Sequence, residues 1–475
     1  MRRIVRLLSA AACIAILSHC AALPDAGTVE QEGAPVRIST DSGWLTYRQS
    51  QRIIGRLARG NGDFLARHLQ VEEAVSPTPL VAGNKVTLFS DGPSTYRAMG
   101  EAIRSARQYI HLESYIFEAD EVGNGLADRL IAKRAEGVAV AVMVDDVGTL
   151  NVPRELFDRM RAAGIQVVFF NPVNPLKARG GWSINQRSHR KILVADGRIG
   201  FVGGINMSSV YSSRPSLRGS SGRSGGGKEG GKEGGKEGGK EAADNAPWRD
   251  THLSIEGPAV ADIERVFLAG WHDQKGPPLD QREFFPPPRT AGPQVVRILD
   301  NDPGGKDTYA IYLTLLSAIS TAERSVHITM AYFVPDPAFV QALCDAARRG
   351  VDVTLILPGF SDSSIVLHAG RSHYDELLAA GVRIYERRGA LLHAKTAVVD
   401  GVWSTAGSSN LDWRSFTLNH EINAVILGEA FGAEMEKLFA ADLQASQPID
   451  PAQWARRPVS ERFMEFFSRL GERWL

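Results

Sequence analysis

The sequence predicts an α/β fold of two tandem repeats, each a mostly parallel mixed sheet flanked by helices, packed around one shared active site. Three observations predict it. Helical and strand patterns alternate along the chain. The same order of elements occurs twice, which marks a duplication. Each copy also closes on the same short signature of histidine, lysine and aspartate.

In the first copy, a helical pattern from Thr95 to Arg107 leads to an apolar run, Tyr109 to Phe117. A helix over Asn124–Glu136 leads to a strand over Val138–Val144, and a helix over Pro153–Ala163 to a strand over Gln166–Phe170. In the second copy the spacing predicts helix Thr308–Ala322, strand Val326–Phe333, helix Pro337–Arg349, strand Val351–Leu357, helix Ser372–Ala380 and strand Val382–Glu386. The repeats are expected over residues 84–275 and 294–446, joined by a proline-rich linker, 276–293. An N-terminal extension, 23–83, carries one helical pattern near Leu45 to Leu69. Residues 226–241 are four copies of Gly-Gly-Lys-Glu. Glycine disfavours a helix there and the charges cancel, so a flexible solvated loop is expected.

The two ends of the chain differ from its body. Arg2, Arg3 and Arg6 precede an apolar stretch of 11 residues, Leu7 to Leu17. Spanning a bilayer takes ~20 residues, so residues 1–22 read as an export signal. Leu17-Ser18-His19-Cys20 resembles a lipobox, which makes Cys20 a candidate lipidation site, with cleavage near Ala22 or an uncleaved anchor as alternatives. In the C-terminal tail, 447–475, the residues Val459, Phe463, Phe466, Phe467, Leu470 and Trp474 fall near one helical stripe. A helix docked on the core is the favoured reading, with interfacial membrane contact as the alternative.

The chain's 475 residues hold 54 Lys+Arg and 54 Asp+Glu, so no overall basic excess points to a nucleic-acid partner. The cysteines, Cys13, Cys20 and Cys344, offer no disulfide framework. No spacing suggests a zinc site and no glycine loop suggests a nucleotide, so neither metal nor cofactor is expected.

The chemistry sits in the repeated signature. The first copy reads His189-Arg190-Lys191, then Asp196-Gly197, then Gly203-Gly204-Ile205-Asn206. The second reads His393-Ala394-Lys395, then Asp400-Gly401, then Gly407-Ser408-Ser409-Asn410. One His-x-Lys means nothing; two with matching flanks are specific. Alternate residues of a strand share a face, so each histidine is expected beside its lysine. Asp-Gly is the preferred two-residue hairpin turn. That turn would set Gly204 opposite His189 and Ser408 opposite His393, with Asn206 and Asn410 one same-face step beyond. Asp196 and Asp400 are expected to orient the site, with a role confined to the turns as the alternative. Asp250-Thr251-His252 and Glu421-Ile422-Asn423 open matching strands, each with a carboxylate that could hold an imidazole through Nδ1 and leave Nε2 free.

These parts suit phosphodiester chemistry. It needs a nucleophile, a proton donor for the leaving oxygen, and positive charge around the phosphoryl group. Two histidines supply the first two. Lys191, Lys395, Asn206 and Asn410, with room beside Gly204 and Ser408, supply the third. If both imidazoles must reach one phosphorus they should lie roughly 5–7 Å apart. His252, His368, His373 and His420 recur in no matching place and are expected to be bystanders.

The duplicated signature resembles the phospholipase D superfamily over roughly residues 84–446, and within it most resembles bacterial cardiolipin synthases. The likeness rests on Ser114-Tyr115-Ile116-Phe117, Gln186 to Ile192, Trp248 to His252, and Ser404 to Asp412. It is strengthened by Trp413 to Phe416, Leu418 to Glu421, and Tyr374, Leu377 and Leu378 before Gly381. It implies transfer of a phosphatidyl group between phospholipids at a membrane, without a metal, with phosphatidylglycerol as the usual donor. It also implies His189 as nucleophile, forming a phosphohistidine, and His393 as acid and base. The single short signal-like segment and the Gly-Gly-Lys-Glu insert depart from the family pattern. A hydrolytic phospholipase D, a nuclease and a catalytically silent scaffold are the competing readings.

Overall fold

The structure is a computed structural model and describes residues 23–24, 35–58, 63–174, 176, 183–212, 246–280, 282–303 and 309–474. The signal-like segment with Cys20 and the Gly-Gly-Lys-Glu insert lie outside the described residues. Two helices, α1 (Tyr47–Leu57) and α2 (Phe64–Val75), lead into the first repeat. That repeat runs β1 (Leu80–Phe89), α3 (Gly92–Ser105), β2 (Tyr109–Ser114), α4 (Glu121–Ala135), β3 (Ala139–Asp145), α5 (Arg154–Ala162), β4 (Gln166–Phe170), β5 (Lys191–Ala195), β6 (Ile199–Gly203), β7 (His252–Glu256) and α6 (Val260–Asp273). The second runs β8 (Gln294–Asn301), α7 (Ala310–Thr321), β9 (Ser325–Met330), α8 (Pro337–Arg348), β10 (Asp352–Pro358), α9 (Ser364–Arg371), α10 (Tyr374–Ala379), β11 (Arg383–Arg387), β12 (Lys395–Val399), β13 (Trp403–Gly407), α11 (Trp413–Thr417), β14 (Asn419–Leu427) and α12 (Glu429–Gln444). A last helix, α13 (Val459–Leu470), follows.

Local chemistry starts the helices where the sequence offers caps. The side chains of Asp91, Asp120 and Asp336 accept from the backbone of Ser94, Gly123 and Ala338 at the starts of α3, α4 and α8. The single helical pattern expected near Leu45 to Leu69 is two helices. Gly60-Asn61-Gly62, between them in sequence, is a helix-breaking run that periodicity alone passed over. Phe64, Leu65 and Leu69 are fully buried in the core of the second repeat beside Leu315 and Ile319.

Both sheets have the same strand order. It is β1-β7-β6-β5-β2-β3-β4 in the first repeat and β8-β14-β13-β12-β9-β10-β11 in the second. β1 pairs antiparallel with β8, so the two sheets are continuous. The sheets are mixed, but not mostly parallel. Within these two strand orders the parallel neighbours are β2-β3-β4 and β9-β10-β11, and the other neighbours are antiparallel. The alternation of strand and helix stops at β4 and β11, and the hairpins that follow add antiparallel strands to the same sheet. Apolar residues of both repeats, among them Ile192, Val202 and Leu253 with Val296, Val398 and Ile422, form one shared core. The proline-rich linker is docked: Phe284 packs on Tyr109 and His111.

The tail forms a docked helix, but its apolar stripe is not the side that docks. α13 packs on α9 through its polar side, burying Glu465 and Ser468. Its apolar stripe points outward, with Val459 79%, Phe463 60% and Leu470 68% exposed.

Candidate active site

The site is built where the repeats exchange short strands. Arg187–Ser188 pairs in parallel with Asn419–His420, and Trp248–Arg249 pairs in parallel with Leu391–Leu392. The ladder extends one step further on each side. The backbone N–H of His189 donates to the carbonyl of His420 at 2.9 Å, and that of His393 to the carbonyl of Arg249 at 2.8 Å. The next residues along those partner strands are Glu421 and Asp250. Each histidine therefore meets the carboxylate of the opposite repeat.

His189 Nδ1 lies 3.1 Å from both oxygens of Glu421 and 3.0 Å from the carbonyl of Ser408. His393 Nδ1 lies 2.6 Å from Asp250 Oδ2. With Nδ1–H donating to an acceptor, the lone pair of each ring stays on Nε2. The two ring centroids are 6.4 Å apart with planes at 72°, inside the separation that a single phosphorus requires. Both histidines are buried, as are Lys191 and Lys395, whose ammonium groups donate to the carbonyls of His189 and His393.

Burial dominates the electrostatics. It pushes Lys191 down to about 7, opposed by Glu421 and reinforced by Lys395. It pushes Lys395 down to about 8, opposed by Asp250 and Glu421. Burial also lowers His189, with Glu421 opposing and Lys191 adding to the effect, and it lowers His393 further, aided by both lysines. Asp250 rises to about 6 through burial, against the pull of Lys395. Burial works against the Glu421 carboxylate too, but His189, Lys191 and Ser408 hold it below its ordinary value. Neutral imidazoles suit a nucleophile. A phosphodiester anion between the lysines would favour their charged forms and raise the basicity of both rings.

The structure corrects four expectations around this centre. The Asp-Gly turns form, with φ +54° and +62° at Asp196 and Gly197, and +53° and +67° at Asp400 and Gly401. But Ala195 pairs with Ile199 and Val399 with Trp403, so Arg198 and Val402 are extra residues that move the register by one. Gly204 is therefore not opposite His189, nor Ser408 opposite His393. Instead both serve the carboxylates. A Cβ on Gly204 would stand 2.1 Å from Asp250 Oδ1, and the Ser408 hydroxyl bonds Glu421. Asp196 and Asp400 do not face the histidines at all. They lie at the far ends of β5 and β12, and the Asp196 carboxylate accepts from the backbone of Arg107, Gln108 and Tyr109 at 2.7, 2.7 and 2.9 Å. Asp400 does the same for Glu323, Arg324 and Ser325. The two asparagines also differ. Asn206 is committed to the Ile116 N–H and the Tyr211 hydroxyl, whereas buried Asn410 has a side-chain oxygen without a hydrogen-bond partner.

Sequence reasoning missed the aromatic wall. Tyr115 lies 5.2 Å from His189, and Trp248, Tyr211 and Tyr332 lie 5.0, 6.1 and 6.4 Å from His393, all between ring centroids. The Tyr332 hydroxyl donates to Asp362. Tyr115 and Tyr332 sit one step apart in the repeat frame, so no duplication signal marked them. Trp248, two residues before Asp250, and Tyr115 lie in runs that carry the family likeness, which marked them as motif residues but not as a wall of the site. A further asymmetry surrounds His189: Ser188 donates to buried Glu113, and Arg187 pairs with buried Asp145 at 3.4 Å, where the second repeat carries Leu392 and Leu391.

Sequence comparisons with known proteins agree on one family. The chain matches the family described as cardiolipin synthase, PLD-like domain, over residues 99–213 and 315–443. It is 34% identical over 395 residues to the cardiolipin synthase of Alkalihalophilus pseudofirmus, covering 82% of this chain and 72% of that one. It is 34% identical over 405 residues to the cardiolipin synthase of Geobacillus thermodenitrificans, covering 85% and 74%. Among solved structures, the phosphatidylserine synthase of Haemophilus influenzae Rd KW20 superposes with a TM-score of 0.60 at 13% identity, over 85% of this chain and 98% of that one. That likeness shows a common fold.

Proposed function

The chain belongs to the cardiolipin synthase family of the phospholipase D superfamily and is a phosphatidyltransferase, and from that premise we propose that it joins two phosphatidylglycerol molecules through a phosphohistidine on His189. The observation that carries this reading is the pair of imidazoles, 6.4 Å apart, each tied at Nδ1 to the other repeat's carboxylate.

In the first half-reaction His189 Nε2 forms a bond to the phosphorus of one phosphatidylglycerol. The bond from phosphorus to the head-group oxygen breaks, and His393 gives that oxygen a proton, releasing glycerol. In the second, His393 takes the proton from a head-group hydroxyl of another phosphatidylglycerol. That oxygen attacks phosphorus, the bond to His189 breaks, and cardiolipin leaves. Lys191, Lys395 and the side-chain N–H groups of Asn410 stabilise the charge on the phosphoryl oxygens, the role a metal plays elsewhere. The buried site and its aromatic wall favour a lipid alcohol over water as acceptor.

The test is product analysis. Purified enzyme with phosphatidylglycerol vesicles and excess EDTA should make cardiolipin and glycerol in equal amounts, and His189→Ala should make neither. Phosphatidic acid as the main product would assign a hydrolase instead. DNA cleavage without lipid turnover would assign a nuclease.

The substrates place the work at a membrane surface, and we assign the enzyme to the bacterial envelope, exported behind residues 1–22 with Cys20 as the candidate lipid anchor. Among the described residues no helix is long and apolar enough to cross a membrane. Metabolic labelling with palmitate, lost in Cys20→Ala, checks the anchor.

A further inference from the structure

Helix α13 is amphipathic in an unusual sense: its polar side is the one fixed to the protein. Arg457, just before the helix, locks that side. Its guanidinium reaches Glu465 at 2.7 Å and Asp375 at 2.9 Å, and Glu465 is buried beneath. Glu465 and Ser468 are one turn apart on this inner face. On the opposite face Val459, Phe463, Phe466, Phe467 and Leu470 follow a helical stripe, and Met464 borders it. All are exposed, Phe466 by 60% and Phe467 by 52%, and Phe467 touches Phe463 in a tilted and Phe466 in an edge-on contact, with centroids 4.5 and 5.5 Å apart. Ile365 on α9, the helix that carries α13, is exposed by 54% as well. A solvated monomer rarely displays such a contiguous patch.

Two observations say what covers it. The first is charge: exposed Arg462 and Arg469 run along one flank of the stripe and exposed Arg456 and Arg473 lie beyond its ends, as on helices that lie in the head-group layer of an anionic bilayer. The second is continuity with the catalytic cleft. Arg473, just past α13, stacks on the Trp413 ring at 5.4 Å. Trp413 opens α11, directly after Asn410-Leu411-Asp412 of the second signature. On the other side α9 is capped by Ser363, the residue after Asp362, which accepts from the Tyr332 hydroxyl at the His393 wall.

We propose that the outer face of α13, with Ile365 of α9, is the surface by which the enzyme seats itself on an anionic phospholipid bilayer, so that the cleft opens toward the lipid plane. This rests on the phosphatidyltransferase reading and adds the surface that delivers its substrate. Phe463, Phe466, Phe467 and Leu470 enter the acyl boundary, the arginines meet lipid phosphates, and the Arg457–Glu465–Asp375 lock keeps the apolar face turned outward.

The test compares two forms of one substrate, using the full chain. Phe463→Ser/Phe467→Ser should lower the turnover of long-chain phosphatidylglycerol in vesicles at least tenfold. The same variant should turn over monomeric dihexanoyl phosphatidylglycerol at the wild-type rate, with an unchanged Tm. Equal rates on both forms would overturn the proposal, because α13 would then not touch the bilayer. Parallel loss on both forms would overturn it too, by placing the helix within the catalytic unit. A wild-type dimer in detergent-free buffer that the variant converts to monomer, with vesicle turnover intact, would assign the face to a second copy of the chain. Failure of the wild type on both lipid forms would instead strike the phosphatidyltransferase reading itself.

Discussion

The crossed pairing of carboxylates and histidines makes a prediction that a self-contained site in each repeat would not. Asp250 belongs to the first repeat but holds His393 of the second, at 2.6 Å. Asp250→Asn keeps the shape and removes the charge. A hydrogen bond to a charged group contributes about 1.5–3 kcal/mol, and each 1.36 kcal/mol is tenfold in rate, so the loss should be roughly 10- to 150-fold. The loss should fall only on steps that use His393 to move a proton. With phosphatidylglycerol, whose glycerol must be protonated to leave, the variant should be slow in both half-reactions. With a phosphatidyl-p-nitrophenol, whose leaving group needs no proton, the pre-steady-state burst of nitrophenol should persist near the wild-type rate and only breakdown should lag. Glu421→Gln, which disables His189, should lose the burst by a similar factor. Stopped-flow absorbance on the two variants reads both outcomes. A burst lost in Asp250→Asn and kept in Glu421→Gln would refute the crossed assignment.

Three further outcomes follow from the same geometry. Asp196→Ala removes an acceptor of three backbone N–H groups and a residue suited to positive φ, so it should cost roughly 1–3 kcal/mol of stability, seen as a lower Tm, while kcat/KM of the folded fraction stays within a few-fold. In the free enzyme Lys191 and Lys395 are lowered to about 7 and about 8. Raising the pH through that window removes the charges that attract an anionic lipid, so kcat/KM should fall on its alkaline side while kcat, governed by the substrate-bound site, holds to higher pH; a kcat/KM plateau up to the ordinary lysine value of about 10.4 would contradict this. Deleting residues 226–241 should leave turnover within a few-fold, since the closure cost of a connecting segment changes by only about 0.6 kcal/mol per halving of its length; a folded but inactive deletion would show that the insert touches substrate.

The reacting groups were legible because duplication tests itself: His189 with His393, and Lys191 with Lys395, recur with matched flanks. Their second layer was not. Asp250 and Glu421 could be matched by pattern, but their exchange depends on two-residue strands crossing between repeats, and nothing local encodes a crossing. The Asp-Gly turns were readable, yet one extra residue, Arg198 or Val402, shifted the register and turned Gly204 and Ser408 toward the carboxylates instead of the phosphate. Asp196 and Asp400 looked catalytic because they recur with the histidines; they recur because each copy of the hairpin must be pinned to the start of β2 or β9. For α13, periodicity revealed two faces but not which one docks. That choice was made by Arg457 and Glu465 together with Asp375, 82 residues before Arg457, a contact that forms only after folding.

The central claim is that one repeat supplies the nucleophile and the other the proton. Rapid quench of the enzyme with phosphatidylglycerol into base, where phosphoramidates survive, followed by peptide mass spectrometry, tests it most directly. The account predicts a phosphatidyl adduct on the peptide carrying His189 that accumulates in His393→Ala supplied with phosphatidyl-p-nitrophenol and is absent in His189→Ala. An adduct on His393, or on any residue of His189→Ala, would contradict it.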